Sequence, residues 1–327
     1  MNNKIFISLA AFCEPFLEFT MKDALSKAKC PENLFFGVVD QHTENRRKQV
    51  EEWVLDPKQL SYVHIDPVES RGVSWARSLV NSLVKDERFY LQIDSHTFFE
   101  ENWDVSLIQS LSALNVLVPK PVLSVYPYGF EFDECMKPKI SNNPSDRTTL
   151  ALRVHPETEL STDNVVLRFR AEHVMQKAYV NGFHLAGGFI FTYREFVDEV
   201  PYDPYFYFHG EEQGLAIRAF TRGWNIYHPP FIPLYHLYKA PNQSHQNHHW
   251  HTDWNEQRHY DWGDLKRRAA LRLNQLLNNE LKGSFGLGCE RNLTDFYNLS
   301  GIDYANRSVN REHNFEKVSE YALIPYL

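Results

Sequence analysis

Asp94 and His96 stand two residues apart at the end of the apolar run Phe89-Tyr90-Leu91-Gln92-Ile93. Side chains at i and i+2 of an extended chain share one side of the backbone. A carboxylate oxygen and an imidazole nitrogen can therefore face the same divalent cation. Open α/β folds bind their ligands at the carboxyl ends of strands, and this pair, with Ser95 between its members, sits at such an end. A third ligand from far along the chain would complete a mixed oxygen and nitrogen set and leave positions open for a diphosphate. Mn²⁺ or Mg²⁺, aided by substrate phosphates, suits those donors. His236, between Tyr235 and Leu237, is the candidate third ligand. The plainer alternatives are a strand-end turn capped by Asp94 and a core histidine at 236.

Three further groups could serve such a site. Gly187 and Gly188 precede the run Phe189-Ile190-Phe191-Thr192, either as a strand entry needing positive φ or as backbone that a ligand can approach closely. Glu211 and Glu212 follow Gly210 at an expected helix start, where acids suit the helix dipole without any ligand. Behind the aromatic stretch 202–208 they could instead accept from sugar hydroxyls. Arg71 and Arg77 lie near or within the helix before the Asp94 strand; arginine suits bidentate phosphate contacts, and a solvated helix face is the alternative. His245, His248, His249, His251 and His259 invite a zinc reading, but no cysteine lies nearby and four-ligand spacing is missing. A loop over the active site, with Trp250 and Trp254 facing an acceptor, is the expectation there.

The elements that must position these residues alternate strand and helix over the first hundred positions. Strands are expected from Ile5 to Ala10, Leu34 to Val39, Tyr62 to Ile65 and Phe89 to Ile93. One helix follows Pro15, and another carries Trp75, Ala76, Leu79 and Val80 behind a Ser70 cap. That order predicts an α/β fold with a mostly parallel central sheet and helices on both faces. Further on, Val122 to Tyr126 reads as a strand, Pro127-Tyr128-Gly129 as a turn and Lys137 to Asp146 as an exposed loop. Glu212 to Arg222 reads as a helix ended by Gly223. Asp264 to Leu277 is amphipathic, with Leu265, Ala269, Leu273 and Leu276 inward and Lys266, Arg267, Arg268 and Arg272 outward. No linker divides the chain; residues 1–262 are expected to form the catalytic domain, and 263–327 a helical and loop extension packed on it.

Composition bounds the function. With 327 residues, 43% hydrophobic and 14% aromatic, the chain can bury a substantial core. A formal net charge of −8 argues against a general nucleic-acid binder. Cys13, Cys30, Cys135 and Cys289 are scattered, which suggests reduced thiols and a cytoplasmic location. The short apolar run after Met1 reads as a first core strand and not as a signal peptide, and no stretch is apolar enough to span a membrane.

Taken in order, Ile5-Phe6-Ile7-Ser8, Arg71-Gly72-Val73-Ser74-Trp75-Ala76-Arg77 and Tyr90-Leu91-Gln92-Ile93-Asp94-Ser95-His96 resemble the GlcNAc-transferase family typified by a protist enzyme acting on hydroxyproline of Skp1. Ala186-Gly187-Gly188, Phe208-His209-Gly210-Glu211-Glu212 and Leu234-Tyr235-His236-Leu237-Tyr238 continue the likeness, which covers roughly residues 4 to 310. The polypeptide GalNAc-transferases are similar more distantly. This resemblance implies a GT-A glycosyltransferase fold, a UDP-sugar donor, a divalent metal and retention of anomeric configuration. By position it implies Asp94, His96 and His236 as metal ligands. Arg71, Arg77 and Ser95 would lie by the nucleotide diphosphate. Gly187, Gly188, Glu211 and Glu212 would surround the donor sugar, with Asp94, Glu211 and Glu212 as the catalytic carboxylates. Cys13 stands where the family usually has an Arg, and Lys239 where an Arg is common, so GlcNAc is not assumed as the sugar. The acceptor expected is a hydroxyl of a protein or glycan. Two rivals are transfer to hydroxymethylated bases of viral DNA, for which the basic helix 266–272 leaves room, and a non-enzymatic sugar-binding relative.

Overall fold

The computed structural model describes residues 2–140, 148–174, 177–238, 248–310 and 323–325. The early apolar runs become strands β1 (Ile5–Phe12), β2 (Leu34–Gln41), β3 (Leu60–Ile65) and β4 (Phe89–Ile93). β1 pairs in parallel with β2 and β4, and β2 with β3. Helices α1 (Leu17–Lys27), α2 (Arg47–Glu51) and α3 (Val73–Asn81) connect them. β1 is apolar on both faces because both are covered. Leu17, Met21 and Ala24 of α1 join Ile5, Ile7 and Leu9 in one core, while Ala76 and Val80 of α3 meet Phe6 and Tyr90 in another. The sequence places Ser70 as the cap of α3, but Gly72 at φ 95° takes that position. Ser70 Oγ instead donates to Gln41 Oε1 at 2.5 Å, tying the loop before α3 to the end of β2.

The next stretch supplies β5 (Thr97–Phe99), α4 (Trp103–Leu117), β6 (Pro121–Ser124), β7 (Tyr128–Phe132), β8 (Pro138–Ile140), β9 (Thr149–Val154), β10 (Phe169–Val174), β11 (Ala178–Gly182) and β12 (Phe189–Tyr193). After it come α5 (Glu195–Glu199), α6 (Glu211–Thr221), β13 (Asn225–His228), β14 (Leu234–His236), α7 (Thr252–Asn255), α8 (Trp262–Leu277) and α9 (Leu293–Ser300). The short pair β15 (Ile302–Asp303) and β16 (Ser308–Val309) precedes β17 (Leu323–Pro325). Among the described residues, nine strands form one sheet in the order β17-β11-β13-β6-β12-β4-β1-β2-β3. β12 runs antiparallel to both β4 and β6, and β11 is antiparallel to β13 and β17. The sheet is therefore mixed beyond β4, where a mostly parallel one was expected; an apolar run carries no direction.

Two local expectations also change. Tyr128 and Gly129, expected in a turn, begin β7, which lies parallel to β14 in a second sheet ordered β5-β14-β7-β8. Residues 138–140 of the expected loop form β8 against β7, and 141–147 lie outside the described residues. α8 buries Leu265, Ala269, Leu273 and Leu276 as its periodicity predicts, against Phe206, Ile217 and Phe220. β17 adds an edge strand to the main sheet. Among the described residues, no helix is long and apolar enough to cross a membrane.

Candidate active site

Three pairings bring the site together. β4 delivers Asp94 at its carboxyl end, beside the end of β1. β12 enters antiparallel opposite that end, with Phe189 across from Ile93, so Gly188 faces Asp94 and Gly187 lies against Arg77 and Glu212. In the second sheet His236 of β14 lies opposite Thr97, and Leu237 N donates to His96 O at 3.1 Å. His96 and His236 are thereby clamped together, 140 residues apart in the chain.

The donor atoms converge. His236 Nε2 lies 3.0 Å from Asp94 Oδ2 and 3.1 Å from His96 Nε2. One ligand atom from each of Asp94, His96 and His236 lies within 4.8 Å of the others, the one such grouping among the described residues. One hard oxygen and two imidazole nitrogens suit a divalent first-row ion, and the three groups fit it without rearrangement of the backbone. Removal from water works against the Asp94 charge. The hydrogen bond with His236 and the Arg77 guanidinium outweigh it and hold the carboxyl far below its usual range. It is thus charged across the physiological pH range.

Arg77 is not on a solvated face. It is 4% exposed, and protein oxygens occupy its head. Nη1 donates to Glu211 Oε1 at 2.6 Å, and Nη2 to Asp94 Oδ1 at 3.0 Å and Gly187 O at 2.9 Å. The arginine expected beside a diphosphate bridges two carboxylates and the glycine turn, and it lines a cavity together with Asp94, Gly188 and His236. Arg71 is exposed. Gly187 and Gly188 owe their identity to crowding and not to positive φ, since neither adopts it. A Cβ on Gly187 would collide with Arg77 Nη1, and one on Gly188 would lie 2.9 Å from Asp94 Oδ2.

α6 starts at Glu211, one residue earlier than expected, behind Gly210 at φ 83°. Burial pushes the Glu211 carboxyl up to about 8; Arg77 pulls it down, while Glu212 and Asp94 add to the rise. Glu212 Oε1 accepts from Gly187 N at 2.5 Å, and its Oε2 lies 3.4 Å from Tyr126 OH. Two cavities meet at Asp94, Val73 and Phe208. One runs past Phe12, Gln41, Ser70 and Ser95 to Trp250; the other is lined by Tyr126, Gly188, Glu211, Glu212 and Tyr238. Phe208 and Tyr238, 49% and 48% exposed, stand at the rim of the second.

The histidine-rich segment does wall the first cavity, through His248, His249 and Trp250. His249 is not in an exposed loop: it is buried, 2.8 Å from Ser70 O and 2.9 Å from Tyr207 OH, and burial pushes it down to about 4. Trp254 packs edge-on against Phe12. Lys239 and His245 lie outside the described residues. Sequence reasoning missed Glu14, 2.9 Å from His96 Nδ1, and the pair Gln92 and Tyr202 beneath Arg77. Gln92 Nε2 donates to Gly187 O at 2.8 Å, and Tyr202 OH lies 3.5 Å from Arg77 Nη1. A charged residue just past a core strand was the available signal for Glu14.

Comparison with known proteins gives the family and the fold. The family model described as glycosyltransferase (GlcNAc) matches residues 4–52 and 44–306. The chain belongs to that glycosyltransferase family. No curated protein matches the sequence. Among solved structures, GalNAc-T7 with UDP, GalNAc and Mn²⁺ is 12% identical with a TM-score of 0.53, covering 96% of this chain and 56% of its own. The mannosyltransferase PcManGT from Pyrobaculum calidifontis, in complex with GDP-Man and Mn²⁺, is 12% identical with a TM-score of 0.46, covering 74% of this chain and 58% of its own. S. aureus TarS 1-349 in complex with UDP-GlcNAc is 12% identical with a TM-score of 0.44, covering 84% and 73%. The likeness to GalNAc-T7 shows a shared glycosyltransferase fold, and this chain spans just over half of that protein's length.

Proposed function

We propose that the protein is a metal-dependent, retaining glycosyltransferase that moves a sugar from a UDP-sugar to a hydroxyl of a protein or glycan. The convergence of Asp94, His96 and His236 where the two cavities meet carries this reading. GalNAc-T7, which shares the fold, was crystallised with UDP and Mn²⁺, and the donor and metal are carried over on that likeness. Asp94, His96 and His236 would hold the cation, Mn²⁺ by preference over Mg²⁺ because two of three donors are imidazoles. When bound it supplies the positive charge that offsets the leaving diphosphate.

The chain's own residues do the rest. The cavity past Phe12, Ser70 and Ser95 takes the nucleotide, with exposed Arg71 at its edge. The cavity lined by Glu212, Tyr126 and Gly188 takes the donor sugar, whose hydroxyls suit carboxylate and phenol partners. Arg77 fixes Glu211 through Oε1 and the Gly187 amide fixes Glu212 through Oε1, and burial pushes the Glu211 carboxyl up to about 8, so neither is read as an enzymic nucleophile. That favours attack of the acceptor oxygen on the face the diphosphate leaves. The acceptor C–O bond forms as the anomeric carbon–phosphate oxygen bond breaks, and a phosphate oxygen takes the hydroxyl proton. Ordered binding in one site supplies the orientation. The four free cysteines fit a reducing, cytoplasmic setting. A panel of UDP-sugars, assayed for UDP release with Mn²⁺ and with chelator, tests the proposal. Release from one donor that stops with chelator supports it, and release from none, with or without mixed hydroxyl acceptors, contradicts it.

A further inference from the structure

Glu14 has no role in the reading above, yet it touches the centre of the site. It follows β1, whose neighbour in the sheet is β4, so both strands end at the same edge. Its Oε2 lies 2.9 Å from His96 Nδ1, while its Oε1 accepts from Phe16 N at 3.0 Å at the start of α1. Both oxygens are thus engaged and the carboxylate has one orientation. A carboxylate can only accept here, so the proton of His96 sits on Nδ1 and the lone pair on Nε2. That Nε2 is the atom 3.1 Å from His236 Nε2, inside the donor cluster.

The loop that carries Glu14 is itself fixed. Cys13, at φ 46°, donates its N–H to Gln41 O at 2.9 Å, and Gln41 Nε2 donates to Ala11 O at 3.0 Å. Gln41 in turn holds Ser70. Phe12, Glu14, Gln41 and Ser70 all line the cavity that ends at Asp94 and His96. The wall of that cavity and the imidazole at its floor therefore form one connected piece.

We propose that Glu14 is a positioning residue of the metal site, fixing His96 as an Nε2 ligand and tying it to the wall of the adjoining cavity. This rests on the metal reading of Asp94, His96 and His236. Groups that hold the far nitrogen of a ligating histidine set its tautomer and basicity, and losing one costs about 10- to 100-fold in metal affinity.

Mn²⁺ titration followed by electron paramagnetic resonance, with no donor present, tests it on wild type, Glu14→Ala, Glu14→Gln and His96→Ala. Glu14→Ala should weaken Mn²⁺ about 10- to 100-fold. Glu14→Gln keeps the shape but has no charge and one acceptor oxygen for two N–H donors, so it should still bind Mn²⁺ more weakly than wild type, with the metal-free melt reading separately what the change costs the fold. Adding Glu14→Ala to His96→Ala should cost nothing further in Mn²⁺ affinity. Wild-type affinity in both Glu14 variants would overturn the proposal and leave the metal reading standing. A wild-type protein that binds no Mn²⁺ would instead overturn the metal reading, and the role of Glu14 with it.

Discussion

Arg77 offers the sharpest test of how the site is held. It is 5% exposed at the side chain and bridges Glu211, 4% exposed, and Asp94, 31% exposed. Replacing it with Met keeps much of the volume and leaves Glu211 without its counter-charge. Breaking a buried pair from one side costs about 3–5 kcal/mol. For 327 residues the unfolding entropy is about 0.7 kcal/mol per degree near 60 °C, so Arg77→Met should lower Tm by about 4–7 °C. The cost should shrink at acid pH. With its carboxyl at about 8, Glu211 is mostly neutral at pH 6 with or without Arg77, so there the variant loses hydrogen bonds to a neutral acid, and only towards and above pH 8 does it lose a counter-charge. Adding Glu211→Gln should recover part of the loss at pH 8, a coupling of about 1–3 kcal/mol. Thermal melts by circular dichroism of the four proteins at pH 6 and pH 8 read all of this. A single variant within about 1 °C of wild type, or strictly additive losses, would refute the bridge as an energetic unit.

Three other outcomes follow from individual contacts. Gly188→Ala places a methyl 2.9 Å from Asp94 Oδ2; it should weaken Mn²⁺ binding by calorimetry while leaving the metal-free melt within a few degrees. His228 is fully buried and pushed down to about 3 by burial, against the hydrogen bond with Ser124 O. Its folded value lies below the unfolded one, so the unfolded chain binds the extra proton between about pH 3 and 6.5 and stability falls as pH drops through that window. The loss at pH 5 relative to neutral is roughly 2 kcal/mol, and His228→Gln should flatten that part of the slope in urea unfolding. Burial pushes the Cys13 thiol up to about 12; iodoacetamide at pH 8 should modify exposed Cys135 and Cys289 long before Cys13, as read by peptide mass spectrometry.

The first four strands, the helix faces and the ends that carry Asp94 and Gly187-Gly188 were legible because apolar periodicity and glycine spacing are local signals. What was not legible is long-range. Nothing near Arg77 announces Glu211, 134 positions away, and a polar residue on an amphipathic helix reads as exposed until its buried partners are known. The direction of β12 was hidden for a related reason: Phe189-Ile190-Phe191 packs equally well in either direction, and only its partners β4 and β6 decide. Ser70 looks like a helix cap in sequence, but Gln41 at the end of β2 competes for its hydroxyl. Glu14 sat in plain view after β1, yet its meaning depends on His96, 82 positions on.

The most direct measurement is the thermal shift of wild type and His236→Ala with UDP and a panel of UDP-sugars, each with Mn²⁺ and with chelator. A ligand that binds only the folded state raises Tm with its occupancy. A Mn²⁺-dependent rise with one UDP-sugar in wild type, absent in His236→Ala, is the predicted result. No shift with any uridine ligand, or an equal shift in chelator and in His236→Ala, would contradict a metal-assisted UDP-sugar site at Asp94, His96 and His236.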